Sequence, residues 1–220
     1  MLSENEAMPK TPAGERRDRL KTALADAAEA IIVQNGLAAL RARDLAAAAG
    51  CALGAIYNAF DDLDAIIFAV NTRTLALLDR DLGEALRRKP TARTVKIDDP
   101  DLARLIRLAQ AYLEFAATHG PRWRALFEHR LHEGQTVPPW YVAEQNRVFQ
   151  LVEEPLRALR PDLAAGERAH LARAVFSAVH GVVSLGLEQK LGEIPRRRLR
   201  EQTAAIVTAL ARGLRAAATG

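Results

Sequence analysis

The sequence predicts an all-α protein. Aromatic residues make up only 5% of the 220-residue chain while Ala and Leu abound, a composition that favours helix over sheet. Apolar residues recur three and four apart in successive segments, and Gly or Pro marks the points where one segment gives way to the next. The expected architecture is an N-terminal three-helix head containing a helix-turn-helix, followed by a C-terminal helical domain. The chain is 49% hydrophobic, enough for one or two domains with a sizeable core. The expected divisions are an arm (1–14), the head (15–62) and the C-terminal domain (63–220).

Residues 1–14 contain Pro9, Pro12 and Gly14 with little apolar content and read as a disordered arm. A first helix fits Glu15–Asn35, with an apolar face of Leu20, Leu24, Ala27, Ala28, Ile31 and Ile32 and a stop at Asn35-Gly36. Two short helices then fit Asp44–Ala49 and Leu53–Phe60. A long helix fits Asp62 to about Arg88, striped by Leu63, Ile66, Ile67, Val70, Thr74, Leu77 and Leu78. At the helical rise it spans on the order of 40 Å, a length that suits a connector between a head and a second domain. Residues 90–100 read as a loop. Asp101–His119 is the next helix, carrying Leu105, Ile106, Leu108, Ala109, Tyr112 and Leu113. Gly120-Pro121 ends it, and Pro121 can open a helix running through Trp123–Leu131. Glu133–Pro139 is a loop. Trp140–Leu159 is helical with a kink or break expected before Pro155. Leu163–Leu191 and Pro195–Ala217 close the chain. No internal repeat and no Gly-x-Gly phosphate loop is present.

The most informative stretch is Arg43–Phe60, RDLAAAAGCALGAIYNAF. Two short helices joined by a tight Gly-containing turn form a helix-turn-helix, which places its second helix in the DNA major groove. Gly50 can take the left-handed conformation that ends the first of them. On the second, Ala52, Leu53, Ala55 and Asn58 are placed to face the groove. Asn58 carries the hydrogen-bond pair that suits adenine, and the three apolar residues suit thymine methyls. Inward packing of Leu53 and Ala55 is the competing reading. Gly54, without a side chain, lets the backbone approach DNA closely.

Ala46, Ala49-Gly50, Gly54, Ile56-Tyr57 and Phe60, preceded by Asn35-Gly36, resemble the N-terminal domain of TetR-type (tetracycline-repressor-like) transcriptional regulators. The resemblance covers roughly Arg16 to Val70. It implies that the Tyr57 hydroxyl meets phosphate, against a partly buried aromatic with a wet tip. It implies a base or phosphate contact for Arg43, against a surface ion pair with Asp44 or Glu29. It also suggests flanking phosphate contacts from Arg16, Arg17, Arg19 and Lys21, against a solvated charge run. The chain departs from the pattern at Ala52, where Ser or Thr often caps the recognition helix. It departs again at Ala59 (often His or Tyr), Leu63 (commonly Lys) and Cys51 (usually Val). These losses imply weaker phosphate anchoring, offset by the basic arm, or an atypical operator. Cys51 reads as a small buried apolar residue rather than a redox switch.

The net charge of +4 and pI near 9.6 do not by themselves carry a nucleic-acid reading. Residues 1–65 hold more acids than bases, and much of the basic excess lies at Arg196, Arg197, Arg198, Arg200, Arg212 and Arg215. The Arg196–Arg200 cluster is left unassigned, with Glu188, Glu193 or Glu201 as possible pairing partners. A single cysteine excludes an intramolecular disulfide framework and fits a reducing cytosol. The polar N-terminus lacks a signal-peptide core, and no uninterrupted apolar run approaches ~18 residues. A cytoplasmic protein without a membrane partner is therefore expected.

Trp123, Phe127, Trp140, Tyr141 and Phe149 place five of the chain's eleven large aromatics, both tryptophans included, between residues 120 and 150. With Tyr112 they are candidates for an apolar pocket, the equivalent helices often enclosing a small molecule in the family; simple core packing is the alternative for each. His180-Gly181, with the WRALFEHRL segment, resembles a His-Gly branch of the same family, so His180 either bonds inside the domain or touches a ligand. His129, His132 and Glu133 have metal-like spacing but no further ligand, so no metal and no cofactor is expected. Ala174, Ala178 and Gly181 give a low-relief helix surface, and the resemblance implies a homodimer through Leu163–Leu191 and Pro195–Ala217. The function expected is that of a DNA-binding regulator, a repressor of a near-palindromic double-stranded operator released by an apolar or amphipathic effector. No nucleophile–base pair argues for an enzyme. A helical carrier or enzyme with a degenerate helix-turn-helix, or a protein-binding scaffold, is the alternative.

Overall fold

The computed structural model describes residues 11–88, 98–131, 134–190 and 192–218. It is all-α, as expected. The helices are α1 (Pro12–Asn35), α2 (Ala42–Ala48), α3 (Leu53–Ala59), α4 (Leu63–Arg87), α5 (Pro100–Thr118), α6 (Gly120–Glu128), α7 (Pro139–Leu159), α8 (Ala165–Leu187) and α9 (Arg196–Ala218), with a 3-10 turn at Leu37–Ala39.

Two main cores organise them. The head core joins Leu24, Ala28 and Ile32 of α1 to Leu45 of α2, Ile56 and Ala59 of α3, Ile66 and Val70 of α4, and Ala125 of α6. The C-terminal core joins the lower α4 (Leu78, Leu82) to α5, α7, α8 and α9, with Leu113, Leu156, Val183 and Leu199 almost fully buried. A smaller cluster of Phe68, Leu75 and Tyr141 sits on the same α4. Charged pairs fasten α1 to the helices behind it. Arg73 of α4 bonds Asp26 at 2.6 Å and Glu29 at 2.9 Å, and Arg122 of α6 bonds Glu29 at 2.9 Å.

Several element limits differ from the expectation, each for a local reason. Residues 12–14 belong to α1 rather than to an arm: Thr11 Oγ1 accepts from the Gly14 amide at 3.3 Å and Pro12 occupies the first turn. The arm's residues 1–10 lie outside the described residues. Helix α4 starts after Asp62, whose carboxylate accepts from the Ala65 amide at 2.7 Å. Asp99 does the same for Asp101 and Leu102, so α5 begins at Pro100. Helix α6 ends at Glu128, short of Leu131. Helix α7 is not broken at Pro155; it continues to Leu159 with the proline buried. Helix α8 is shorter at both ends than Leu163–Leu191, and beyond it Gln189 takes a left-handed φ of 54°.

Helix α8 also revises the membrane criterion, being long and apolar enough to cross a membrane by length and composition. In this fold it packs on α5, α7 and α9 through Ala172, Val175, Val179 and Val183. Only 28% of its most apolar stretch is buried inside the protein, so one face is left uncovered.

Gly186 is where α8 and α9 come closest, since a Cβ there would collide with the buried side chain of Leu199. Gly186→Ala is expected to destabilise the fold by about 1–3 kcal/mol through overpacking, read as a lower urea midpoint. An unchanged midpoint would mean that Leu199 swings aside.

Candidate nucleic-acid interface and internal cavity

The turn between α2 and α3 is a Schellman motif. Gly50 has φ 66°, the Cys51 amide donates to the Ala46 carbonyl at 3.0 Å, and the Gly50 amide donates to the Ala47 carbonyl at 3.2 Å. These bonds satisfy the end of α2 and fix the angle at which α3 leaves. Ile56 and Ala59 then point into the head core, with Leu45 and Ala46 of α2 opposite them. Helical periodicity turns the other face of α3 outward. Leu53 is 43% exposed and Tyr57 52% exposed. Ala52, Gly54 and Asn58 are exposed as well, and Ala55 is half-buried. The alternative of an inward Leu53 is thereby excluded.

Ala52 precedes α3 without any side-chain cap. Cys51 is half-buried against the head core, beside Leu63. A Cβ on Gly54 would meet nothing within 4 Å, so no packing inside the protein requires a glycine there. Arg16, Arg17 and Arg43 are exposed and form no ion pair among the described residues. Glu29, one proposed partner of Arg43, is held by Arg73 and Arg122 instead. Four of the acids in this part of the sequence are engaged within the protein, while Glu15, Asp44 and Asp61 are exposed. Asp26 and Glu29 pair with α4 and α6, Asp62 caps α4, and Asp64 meets His129 Nε2 at 2.8 Å.

In the C-terminal domain a cavity opens among α4, α5, α7 and α8. Its empty space is about 940 Å³, including its open mouth. Tyr112, Phe127, Tyr141 and Phe149 line it, as the aromatic cluster suggested. Trp123, Trp140 and His180 are not among its lining residues. Trp140 is 50% exposed, edge-on to Phe68 and Tyr141. Trp123 is buried, and its Nε1 donates to the Tyr112 hydroxyl at 2.7 Å. That hydroxyl lies 2.8 Å from His180 Nδ1. Indole can only donate, so the hydroxyl accepts from Trp123, and the imidazole tautomer sets the direction of its bond with His180. Most of the wall is aliphatic, from Leu75, Leu78, Leu105, Leu108, Val175 and Val179, which the aromatic signal did not mark. Gln145 also lines it and was not anticipated; it stands one turn after Tyr141 on α7.

The remaining candidates resolve simply. Arg196 and Arg200 pair with Glu114, and Arg197 and Arg198 with Glu201. His132 and Glu133 lie outside the described residues, and no cluster of possible metal ligands occurs among the described ones.

Burial depresses the His180 pKa, opposed by the charge of Glu188. The folded value lies below the unfolded one, so this contribution to stability is present above about pH 6.5 and is lost as pH falls below it. The melting temperature should therefore fall more between pH 7.5 and 5.5, as rough bounds on the histidine range, in the native protein than in His180→Asn. Parallel curves would remove His180 as the source.

A family model described as "Bacterial regulatory proteins, tetR family" matches residues 24–70. One described as "Tetracyclin repressor-like, C-terminal domain" matches residues 105–210. No curated protein gives a significant match. Solved structures similar to the chain include a protein with unknown function from Rhodococcus sp. RHA1, at 21% identity over 97% of this chain and 98% of that one, TM-score 0.60. A TetR-family transcriptional regulator from Bordetella parapertussis 12822 is 21% identical over 86% of this chain and 94% of its own, TM-score 0.56. The fatty acid degradation regulator FadR from Bacillus halodurans is 16% identical over 94% and 98%, TM-score 0.57. At these identities the structures attest the fold, and the two family models, which between them span more than half of the chain, attest the family. The chain belongs to the tetR family of bacterial transcriptional regulators.

Proposed function

We propose that the protein is a homodimeric repressor that binds a near-palindromic operator through α3 and leaves it when an apolar effector fills the C-terminal cavity. The observation that carries the DNA reading is the outward face of α3, where Leu53, Gly54, Tyr57 and Asn58 are exposed above a buried Ile56 and Ala59. In this reading Asn58 addresses adenine, Leu53, Ala52 and Ala55 address thymine methyls, and Tyr57, Arg16, Arg17 and Arg43 anchor phosphates. Two recognition helices reach successive major grooves about 34 Å apart only in a two-fold dimer.

The dimer reading is supported by the uncovered groove between α8 and α9. Ala178, Gly181, Val182, Leu185, Ala205 and Ile206 line it, and Leu185 and Ile206 are exposed. A Cβ on Gly181 would meet nothing within 4 Å, leaving room for the helix of a second copy. Release follows from α4, which lines the cavity with Leu75, Leu78 and Leu82 and enters the head core with Ile66 and Val70. A ligand that prefers a displaced α4 shifts the heads away from the spacing the grooves require and so weakens DNA binding.

The test is binding to the DNA upstream of the protein's own gene against random duplex across a salt series, followed by selection from genomic fragments. Sequence-specific binding with a steep salt slope is expected. No enrichment of any fragment would sink the reading. On the selected operator, Asn58→Ala should cost about 1–3 kcal/mol and relax specificity at one position, whereas Tyr57→Phe should weaken binding across sequences. Gly54→Ala should stabilise the protein by up to about 1 kcal/mol yet weaken operator binding; equal affinity would show that the backbone does not approach DNA there. The pair Leu185→Glu and Ile206→Glu should give a folded monomer by sedimentation with much weakened operator binding. A dimer that persists would place the interface elsewhere.

A further inference from the structure

The cavity carries a more specific message about its ligand, one that rests on reading it as the effector site. We infer that it selects an uncharged apolar molecule with a single hydrogen-bonding end group, received by Tyr141 and Gln145.

No Lys, Arg, Asp, Glu or His is among its lining residues. Its polar side chains are Tyr112, Tyr141 and Gln145. The Tyr112 hydroxyl is already committed to Trp123 and His180, so it has little to offer a ligand. Tyr141 and Gln145 stand four residues apart on α7, on one face of the helix. Gln145 forms no hydrogen bond among the described residues. The polar capacity of the cavity is thereby gathered on one side, with aliphatic and aromatic surface around the rest.

A second observation points to the same place. Asn71 of α4 is 1% exposed; its Nδ2 donates to the Ala125 carbonyl at 3.4 Å and its Oδ1 has no partner. Its side chain also lies against the Tyr141 hydroxyl. Burial raises the Tyr141 pKa to about 12, with Asn71 opposing the shift, so the phenol keeps its proton at any working pH. Asn71 does not itself line the cavity but stands behind Tyr141; a neutral phenol with the Gln145 amide one turn away can serve a hydroxyl, ether or ester. It offers no countercharge to a carboxylate or an ammonium, whose burial without a partner is strongly disfavoured. Arg173 is no substitute. It lies over the Phe149 ring, 4.7 Å from the centroid, bonds Asn146 and the Ala169 carbonyl, and is not among the lining residues.

The experiment titrates the full chain with a straight-chain alcohol and with the carboxylic acid and amine of the same chain length, by calorimetry at a pH where both of the latter are charged. Nile red, an uncharged dye that brightens in apolar surroundings, is titrated in parallel. The alcohol should bind at least about tenfold more tightly than the acid or the amine, since a charge buried without a partner forfeits affinity. Tyr141→Phe combined with Gln145→Leu should cost the alcohol about tenfold, the loss of its buried hydrogen-bond partners, and cost Nile red, bound mainly by apolar contact, less. Acid or amine binding as tight as the alcohol's would overturn the ligand class and leave the effector reading standing. An unchanged alcohol affinity in the double variant would overturn the assigned anchor. Binding of none of these molecules, Nile red included, would overturn the effector reading and this inference with it.

Discussion

The structure depends on one helix belonging to two cores. Helix α4 places Ile66 and Val70 among the head's buried residues and Leu78 and Leu82 among those of the C-terminal domain. It is 25 residues long, about 37 Å at the helical rise, and it is continuous between the two. Close-packed interiors tolerate little independent sliding, so a shift of α4 at one core is felt at the other. Helix α6 repeats the arrangement over a shorter distance, giving Trp123 to one core and Ala125 to the other. The head is therefore not a bead on a flexible linker; the direction of α3 is tied to the C-terminal bundle.

The same junction settles a conflict in the charge pattern. Counted along the sequence, the first 65 residues are acidic, a poor omen for contact with phosphate. In the fold, Asp26 and Glu29 face partners on α4 and α6, Asp64 of α4 faces His129 just beyond α6, and Asp62 caps the first turn of α4. Arg16, Arg17 and Arg43 remain exposed. Electrostatic attraction at a surface depends on which charges face the partner within a Debye length, and a segment's net charge does not report that.

The head was legible because its signals are local. The Gly50 turn follows from a residue that tolerates positive φ, and the outward face of α3 follows from the helical period once Ile56 and Ala59 are taken as inward. The start of α1 was equally local, since Thr-Pro is a capping residue followed by a first-turn proline, but the polar composition of the arm masked it. The cavity was only half legible. Aromatic content does not distinguish a wall from a core, so Trp123 and His180 turned out to brace Tyr112 from behind, and Trp140 turned outward. Leu75, Leu108 and Val179 carry no mark in sequence that separates lining from packing. Gln145 is one of several polar residues on α7, and it reads as a solvated position until the tertiary fold turns it inward.

Two helical glycines lie on the faces that the proposed function turns toward other molecules. Glycine inside a helix is less stable than alanine by roughly 0.5–1 kcal/mol, a cost usually offset by a close approach, as between Gly186 and Leu199. Gly54 and Gly181 have no such neighbour within the protein. One lies on the exposed face of α3 and the other in the groove between α8 and α9. Neither position asks for glycine on the grounds of backbone conformation, since both have ordinary helical φ. Gly166 and Gly213 are as open within their helices, so openness alone does not call for an outside partner; what sets Gly54 and Gly181 apart is the face on which each lies. The two faces differ in kind, the first polar-edged with exposed arginines on the same head, the second lined by small and aliphatic side chains. They fit a nucleic acid and a second copy of the chain respectively.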